Sequence, residues 1–275
     1  TDEAISRSRI KEFIRTNALK SLYKNFAGVL AIGQASYRHY QRKGLPASKI
    51  GYSPYVVDTN FFNTMTKRWL PDRDKLRTEC GYSPEQIVLI FSGKMVEKKN
   101  PLIIAHAISL LPNEVRNRIG LIAIGDGTLR REFENLCKLL LGERAHFVGF
   151  QNQNYLGRYY ALGDFLVLPS AYGETWGLVV NEGMEFGVPA IVSDRVGCRH
   201  DLIVPGKTGF IFHAGDENSL SRIIQQTVDL SSVEREEMRL CVKNHIGSYS
   251  IANAVTGISS MVLRLYENCT VRNIQ

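Results

Sequence analysis

Between residues 85 and 230 the chain alternates short apolar runs with segments of helical spacing, and this alternation narrows the choice of fold more than any other feature. The runs are Ile87-Val-Leu-Ile-Phe91, Leu121-Ile-Ala-Ile124, His146-Phe-Val-Gly149, Phe165-Leu-Val-Leu-Pro169 and Ala190-Ile-Val-Ser193, with a sixth near residue 210. Strand then helix, repeated, predicts an α/β fold on a doubly wound parallel sheet. In such a sheet the carboxyl ends of the strands open on one crevice, and ligands bind there. The loops at those ends are where chemistry is expected.

The first of these loops, Ser92-Gly-Lys-Met-Val-Glu-Lys-Lys-Asn-Pro101, is basic; the next two are Gly125-Asp-Gly-Thr128 and Phe150-Gln-Asn-Gln153. The fourth is the most informative. After Pro169 the turn Ser170-Ala-Tyr-Gly-Glu174 runs into Thr-Trp-Gly-Leu-Val-Val-Asn-Glu182, and apolar residues resume at Leu178, Val179 and Met184 with helical spacing. Glu174 thus falls near a helix N-terminus, with Glu182 two turns along. The N–H groups of Trp176, Gly177 and Leu178 would project beside Glu174 as an anion site. Two carboxylates there point to a ligand rich in hydroxyls. An isolated pair of glutamates would be no more than a dipole-favoured carboxylate and a solvated helix residue; the other polar strand-end loops are what favour a site.

Taken in order, Gly93-Lys94 with Lys99, Gly125-Asp126-Gly127, Phe147-Val-Gly149, and Glu174-x7-Glu182 followed by Gly187-Val-Pro189 resemble the donor-binding half of the GT4 family of retaining, nucleotide-sugar-dependent glycosyltransferases. The resemblance runs from about residue 28 to about residue 227 and implies the GT-B fold, with a Rossmann-like donor lobe. It implies that Lys94 and Lys99 neutralise the donor diphosphate, that Glu174 holds sugar hydroxyls and that Glu182 binds the ribose. The turn Thr175, Trp176, Gly177 and Leu178 would supply backbone N–H groups, and Gly93, Gly125, Asp126 and Phe150 would line the site. Lys94, Lys99 and Glu174 are the expected catalytic groups. The family usually has arginine at position 94; lysine keeps the charge and loses the bidentate fork. Trp176 stands where phenylalanine is commoner, which leaves the backbone role intact and predicts a tighter or differently shaped sugar pocket.

Other signals are weaker. Gly125-Asp-Gly127 lacks the G-x-G-x-x-G spacing of a dinucleotide fingerprint, and no strand-end loop pairs that spacing with an acid about 20 residues on, which disfavours a nicotinamide oxidoreductase. The six histidines show no H-x3-H or H-E-x-x-H spacing and there is no Cys-x-x-Cys, so no metal site is expected. Cys198 beside Arg199 and His200 reads as a loop cysteine near the crevice. Five cysteines at irregular spacings argue for free thiols in a reducing compartment.

The net charge of +7 is crowded early: Arg7, Arg9, Lys11, Arg15, Lys20 and Lys24 lie in the first 24 residues. Between them Ile10, Phe13, Ile14, Leu22, Tyr23 and Phe26 form an apolar stripe at roughly helical spacing. The stripe fits either an anionic membrane surface or a helix packed on its own domain. Nucleic acid is disfavoured for want of aromatic-basic interleaving. No apolar run approaches the roughly 18 to 20 residues that span a bilayer.

Residues 1–57 read as the end of a first, acceptor-side lobe, with a strand at Gly28–Ile32, a helix from Ala35 to Lys43 and a short strand at Ile50–Tyr52. Two parallel strands cannot bury their faces adequately, so this lobe is expected to be partial or truncated, completed by upstream residues, and the fragment to be slow or inactive in transfer. Residues 58–84 read as a hinge or linker with a short helix near Asp72–Cys80, 85–230 as the nucleotide-sugar domain, and 231–275 as helices returning toward the first lobe. The expectation is a cytoplasmic hexosyltransferase, peripheral at a membrane, that uses a UDP- or GDP-sugar and a glycan or lipid-linked acceptor and needs no cofactor or metal. A non-catalytic nucleotide-sugar-binding module and an NDP-sugar 2-epimerase are the alternatives.

Overall fold

A computed structural model describes residues 9 to 272. Six strands form one parallel sheet: β3 (Ile87–Ser92), β4 (Ile119–Ile124), β5 (Ala145–Gly149), β6 (Phe165–Leu168), β7 (Ala190–Ser193) and β8 (Gly209–Phe212). Their order across the sheet is β5-β4-β3-β6-β7-β8. The order reverses between β3 and β6, where the register pairs Leu89 with Phe165 and Ile90 with Leu166. This is the doubly wound arrangement expected from the alternating runs, and the crevice at its switch point is where ligands bind in such sheets.

Strand periodicity divides the core in two. Val88 and Ile90 of β3 face a cluster that includes Tyr160, Val180, Met184 and Val242, whereas Ile87, Leu89 and Phe91 face one that includes Ile104, Phe133, Leu220 and Ile224. The first face is covered by α8 (Gln153–Leu162), α9 (Leu178–Glu185) and α12 (Ser232–Ile246). The second is covered by α5 (Leu102–Ser109), α7 (Arg130–Leu141) and α11 (Glu217–Asp229). Two single-turn helices, α6 (Asn113–Arg116) and α10 (Arg199–Leu202), sit in the connections.

In the stretch read from sequence as a linker with a short helix near Asp72–Cys80, that short helix is present, but the residues before it are helical too, which corrects the linker reading there. Residues Thr59–Trp69 form α3 and Arg73–Glu79 form α4. Asp58 caps α3 by accepting from the Phe61 N–H at 3.0 Å, and Phe62 and Met65 are buried in the first core cluster. Arg77, on α4, is itself buried and reaches Asp164 at the start of β6 at 2.8 Å. Arg73 at 2.6 Å and Arg239 of α12 at 2.9 Å converge on the same carboxylate, which also accepts the Val88 N–H at 2.9 Å. Burial alone would raise the Asp164 pKa; the three guanidiniums override it and hold the group well below the usual carboxylate range. This ion cluster ties α4, α12 and the sheet together at the end opposite the crevice.

Before α3 lie α1 (Arg9–Lys24), β1 (Val29–Ala31), α2 (Gln34–Arg42) and β2 (Ile50–Tyr52). β1 and β2 pair in parallel with Val29 against Ile50, and their small core holds Ala31, Leu45 and Ile50. The last helix, α13 (Ile251–Arg272), packs on this unit: Ser53 Oγ donates to the Ala254 carbonyl at 3.1 Å, and the Met261 side chain lies against Gly28 and Gly51. By length and composition the stretch Ser232–Glu267 also reaches the threshold of a membrane span, contrary to the sequence expectation, with a mean hydropathy of 1.2 over its best 18 residues. The chain breaks helix between Ile246 and Ile251 within that stretch, and α13 is held along β2. Of the apolar stripe on α1, Ile14, Leu22 and Phe26 are exposed, while Tyr23 stacks edge-on with Tyr40; Ile10 and Phe13 lie outside the residues whose side chains are described.

Candidate functional site

The loops after β3, β4 and β5 and the first turns of α9 enclose a cleft of about 810 Å³. Its walls include Gly93, Lys94, Gly125, Asp126, Phe150, Val179 and Glu182. The loops after β3 and β4 meet backbone to backbone: a Cβ on Gly125, whose φ is 118°, would fall 2.1 Å from the Gly93 carbonyl oxygen. Only glycine permits both that φ and that approach. The Gly93 N–H donates to the Ile124 carbonyl at 3.0 Å and the Met95 N–H to the Asp126 carbonyl at 2.9 Å, so the floor of the cleft is backbone held in register.

Asp126 lines this wall with its carboxylate turned to its own loop, accepting from the Gly127 N–H at 2.7 Å and from Arg130 at 3.1 Å. The Gly127 N–H chiefly, then Arg130, lowers its pKa. Lys94 is exposed on the cleft wall and makes no ion pair among the described residues, which leaves its charge available to a ligand. Phe150 stands at the rim of the cleft with 83% of its surface exposed.

At the far wall Glu182 lies in the second turn of α9. Because Gly177 ends the preceding turn and caps α9, Glu182 is one helical turn into the element rather than two. Its Oε2 accepts from the Tyr160 hydroxyl at 2.7 Å, and that hydroxyl lies 3.3 Å from Ser92 Oγ. Burial raises the Glu182 pKa, with Tyr160 acting the other way. The Tyr160–Ser92 support was not visible in the sequence, since it joins β3, α8 and α9 across the sheet.

Lys99 and Glu174, 75 residues apart in sequence, form an ion pair beside the cleft. Lys99 ends a 3-10 turn at Glu97–Lys99, after which Asn100 takes a left-handed conformation with φ 49°. Glu174 also accepts from Ser170 Oγ at 3.0 Å, and Ser170 is fixed in turn by Ser193 Oγ on its carbonyl at 2.6 Å. The Ala171 N–H donates to the Lys98 carbonyl at 2.9 Å, so the loops after β3 and β6 are bonded directly to each other. Gly177, with φ 103°, caps α9 without a side chain, and the Val180 N–H donates to the Gly177 carbonyl at 2.9 Å. Thr175 and Leu178 are exposed beside them.

The Trp176 indole does not face this site, which corrects the expectation of a reshaped sugar pocket. It is 3% exposed, donates from Nε1 to Asn181 at 2.8 Å and meets Tyr55 edge-on with centroids 6.0 Å apart. It is wedged toward the first unit, where a Cβ on Gly33 would overlap its ring. Cys198 is fully buried and burial pushes its thiol pKa far up, consistent with the plain loop-cysteine reading. One contact was missed altogether: Asp201 accepts the Gln34 N–H at 3.0 Å and the Tyr52 hydroxyl at 2.8 Å, joining α10 to the first unit. Among the described residues no three His, Cys, Asp or Glu side chains gather in a metal-binding group.

The family of glycosyl transferases group 1 matches residues 72–244. The sulfoquinovosyl transferase SQD2 of Arabidopsis thaliana is 36% identical over 163 residues, which cover 58% of this chain and 29% of that protein. Spore coat protein SA of Bacillus subtilis is 28% identical over 219 residues, covering 74% of this chain and 55% of that protein. The chain therefore spans about half or less of these relatives' length. Among solved structures, Anabaena HepE in complex with UDP superposes with a TM-score of 0.73 at 20% identity, over 92% of this chain and 69% of that one. Sucrose-phosphate synthase from Thermosynechococcus elongatus gives 0.72 at 20% identity, over 96% and 65%.

Proposed function

The chain belongs to the glycosyl transferases group 1 family and has the GT-B architecture, and from that premise we propose that it serves the transfer of a hexosyl unit from a UDP- or GDP-sugar to a glycan or lipid-linked acceptor, with retention at the anomeric carbon. The observation that carries the proposal is the Lys99–Glu174 pair at the start of α9, set beside a cleft whose opposite wall ends in Glu182. A cation and a carboxylate that share one helix N-terminus suit a ligand with both phosphate and hydroxyl groups.

In this reading the nucleoside lies along the loops after β4 and β5, with its ribose hydroxyls on Glu182. The diphosphate sits over Gly93, between Lys94, Lys99 and the N–H groups that open α9. The sugar reaches Glu174. As the bond from the anomeric carbon to the phosphate oxygen breaks, its electron pair leaves with the diphosphate, and the sugar takes on oxocarbenium character. Fixed positive groups in a cleft stabilise that leaving charge without reorganisation. The acceptor oxygen then bonds the anomeric carbon on the face the diphosphate leaves, and its hydroxyl proton passes to the departing phosphate oxygen. The solved complexes of the Anabaena neighbour with UDP and with UDP-glucose favour trying UDP first.

The test is calorimetric titration with UDP and GDP, followed by incubation with UDP- and GDP-hexoses and NMR of the products. Binding of one nucleotide, with sugar released or transferred in the donor's anomeric configuration, is the expected result. Failure of both nucleotides to bind at millimolar concentration would overturn the site. Binding without even single-turnover donor cleavage would favour a non-catalytic module, and free epimerised sugar a 2-epimerase.

A further inference from the structure

At the end of the sheet opposite the cleft, two helices each bring a pair of arginines four residues apart: Arg73 and Arg77 on α4, Arg235 and Arg239 on α12. Like charges at that spacing share one helix face and repel each other. Both faces turn to the start of β6, where the four side chains border one hollow of about 300 Å³. Asp164 is the buried carboxylate in its wall. Asp74 and Glu236 are exposed at the rim and make no ion pair with the arginines among the described residues.

Tying α4 to the sheet needs fewer cations than this. Arg77 has both terminal nitrogens filled: Nη1 donates to the Leu162 carbonyl at 2.9 Å and to Asp164 at 2.8 Å, and Nη2 to the carbonyls of Ser83 at 3.3 Å and Gln86 at 2.6 Å. That arginine is complete as a structural ion-pair partner. Arg73 and Arg239 are not. Each donates from Nη2 alone, to the Gly163 carbonyl at 3.2 and 2.9 Å and to one and the same Asp164 oxygen at 2.6 and 2.9 Å, which sets the two guanidiniums side by side. Their Nε and Nη1 groups have no partner among the described residues, although the side chains are only 19% and 16% exposed. Arg235 donates to the Leu230 carbonyl at 2.6 Å and makes no ion pair among the described residues. Burial, above all, lowers the Arg73 pKa; Asp164 acts against it, and the charges of Arg239 and Arg77 add to the lowering. Three guanidiniums on one carboxylate leave two charges uncompensated in a partly dry place, before Arg235 is counted.

We propose that this hollow binds a phosphate group, as inorganic phosphate or as a phosphate monoester, held by Arg73, Arg235 and Arg239 over a floor of Arg77 and Asp164. Charge and shape both favour that ligand. A phosphate monoester carries about −1.5 to −2 charges at pH 7, which offsets the excess. Its oxygens point in tetrahedral directions and accept from three guanidiniums at once, whereas a carboxylate offers two oxygens in one plane, as Asp164 already does. The exposed carboxylates of Asp74 and Glu236 disfavour a long polyanion, which would have to run past them. The inference is independent of the donor reading, because the hollow shares no residue with the cleft beside α9.

The test is calorimetric titration of the full chain, in chloride buffer, with inorganic phosphate and with glycerol 3-phosphate. It is run on the parent and on Lys94→Ala/Lys99→Ala, which strips the donor cleft of its two lysines and should still bind phosphate at millimolar concentration or below. Arg239→Gln should weaken phosphate at least about tenfold and Arg235→Gln about fivefold. Arg235 makes no contact with Asp164, so its variant keeps the test alive if Arg239→Gln does not fold. Thermal melts give a second reading: phosphate should raise the melting temperature of the parent over chloride at equal ionic strength, and Arg235→Gln should lose that rise. A purely structural cluster would leave the rise unchanged in Arg235→Gln and so overturn the proposal. So would the absence of binding by either probe at tens of millimolar, or parent-like affinity in both arginine variants. Loss of phosphate binding in Lys94→Ala/Lys99→Ala would likewise place the anion in the donor cleft instead. Tighter binding of glycerol 3-phosphate assigns the hollow to a monoester and tighter binding of inorganic phosphate to the free ion, and either upholds the phosphate site.

Discussion

Lys99→Ala is the substitution that most directly examines the diphosphate assignment. The side chains of Lys99 and Glu174 are 20% and 12% exposed, so the ammonium works in a partly dry setting where a charge-assisted contact is worth about 1.5 to 3 kcal/mol. Its loss should weaken UDP about 12- to 160-fold. The pairing with Glu174 makes the prediction sharper than a bare loss of charge. Lys99 is shared with a carboxylate, and removing it leaves that carboxylate facing the incoming phosphates with Ser170 as its remaining side-chain partner among the described residues. Glu174→Gln removes the competitor instead. It should hold or tighten UDP, which carries no sugar, while weakening a UDP-hexose relative to UDP. The double variant should regain part of what Lys99→Ala loses, and the two residues should show a coupling energy within the range of about 0.5 to 3 kcal/mol found for contacting pairs. Isothermal titration with UDP, GDP and inorganic pyrophosphate reads each step, and thermal melts check that every variant is folded. If Lys99→Ala binds UDP within twofold of the parent, or loses UDP while keeping pyrophosphate, the lysine does not hold the diphosphate.

Glu182→Gln should weaken UDP and leave pyrophosphate unchanged, because the ribose contact alone is affected; equal weakening of both would remove that role. Burial raises the Glu182 pKa, so a ribose hydroxyl that needs the ionised form should be lost as pH falls through that raised value, earlier than for an ordinary glutamate near 4.3, and UDP affinity should drop there. The fold responds in the opposite direction: this group favours the folded state below the unfolded pKa, and the contribution disappears as pH rises through the folded one. A UDP affinity flat with pH down to the onset of unfolding would count against the carboxylate contact. Chelation with EDTA should leave nucleotide affinity unchanged, since Lys94, Lys99 and the α9 N–H groups supply the counter-charge; loss on chelation with recovery in Mg2+ or Mn2+ would require a carboxylate-held metal. Asp164→Asn strips the charge that holds Arg73, Arg77 and Arg239 together and should cost about 3 to 5 kcal/mol of stability by denaturant unfolding. A loss under 1 kcal/mol would show that the cluster is incidental to the fold.

What the sequence made legible follows from how far apart the deciding contacts lie. The six strands were readable because each is a continuous apolar run, as a strand covered on both faces must be. That Lys99 and Glu174 would face one crevice was readable too, although 75 residues separate them; their ion pair with each other was not. Both sit at the carboxyl ends of strands, and β3 and β6 are the neighbours at which strand order reverses. Helix α3 was missed for a local reason. Thr59, Asn60, Asn63, Thr64 and Thr66 are poor helix formers, and they obscured the spacing of Phe61, Phe62, Met65 and Trp69. Burial of Phe62 and Met65 against α8 and α9 overrides that propensity, and Asp58 as an N-cap was the signal that should have been weighed.

The role of Trp176 was misjudged for the opposite reason. Its backbone position is dictated by the turn, which sequence reveals, but the direction of its ring is set by Asn181 on α9 together with Tyr55 and Gly33, which lie more than a hundred residues away in sequence. The same holds for Asp201. Nothing near it in sequence announces that its carboxylate receives the N-terminal amide of α2 and the Tyr52 hydroxyl. The two residues act on one strip of chain: the Cys198 N–H donates to the Trp176 carbonyl at 3.0 Å and the Gly197 N–H to the Glu174 carbonyl at 2.9 Å, so the loop that carries Asp201 is bonded to the turn that carries Glu174. The first unit is thereby connected, through Asp201 and the residue 197–198 backbone, to the turn that carries Glu174. Local pattern locates the groups that touch a ligand, whereas the contacts that fix their orientation come from a unit more than a hundred residues away.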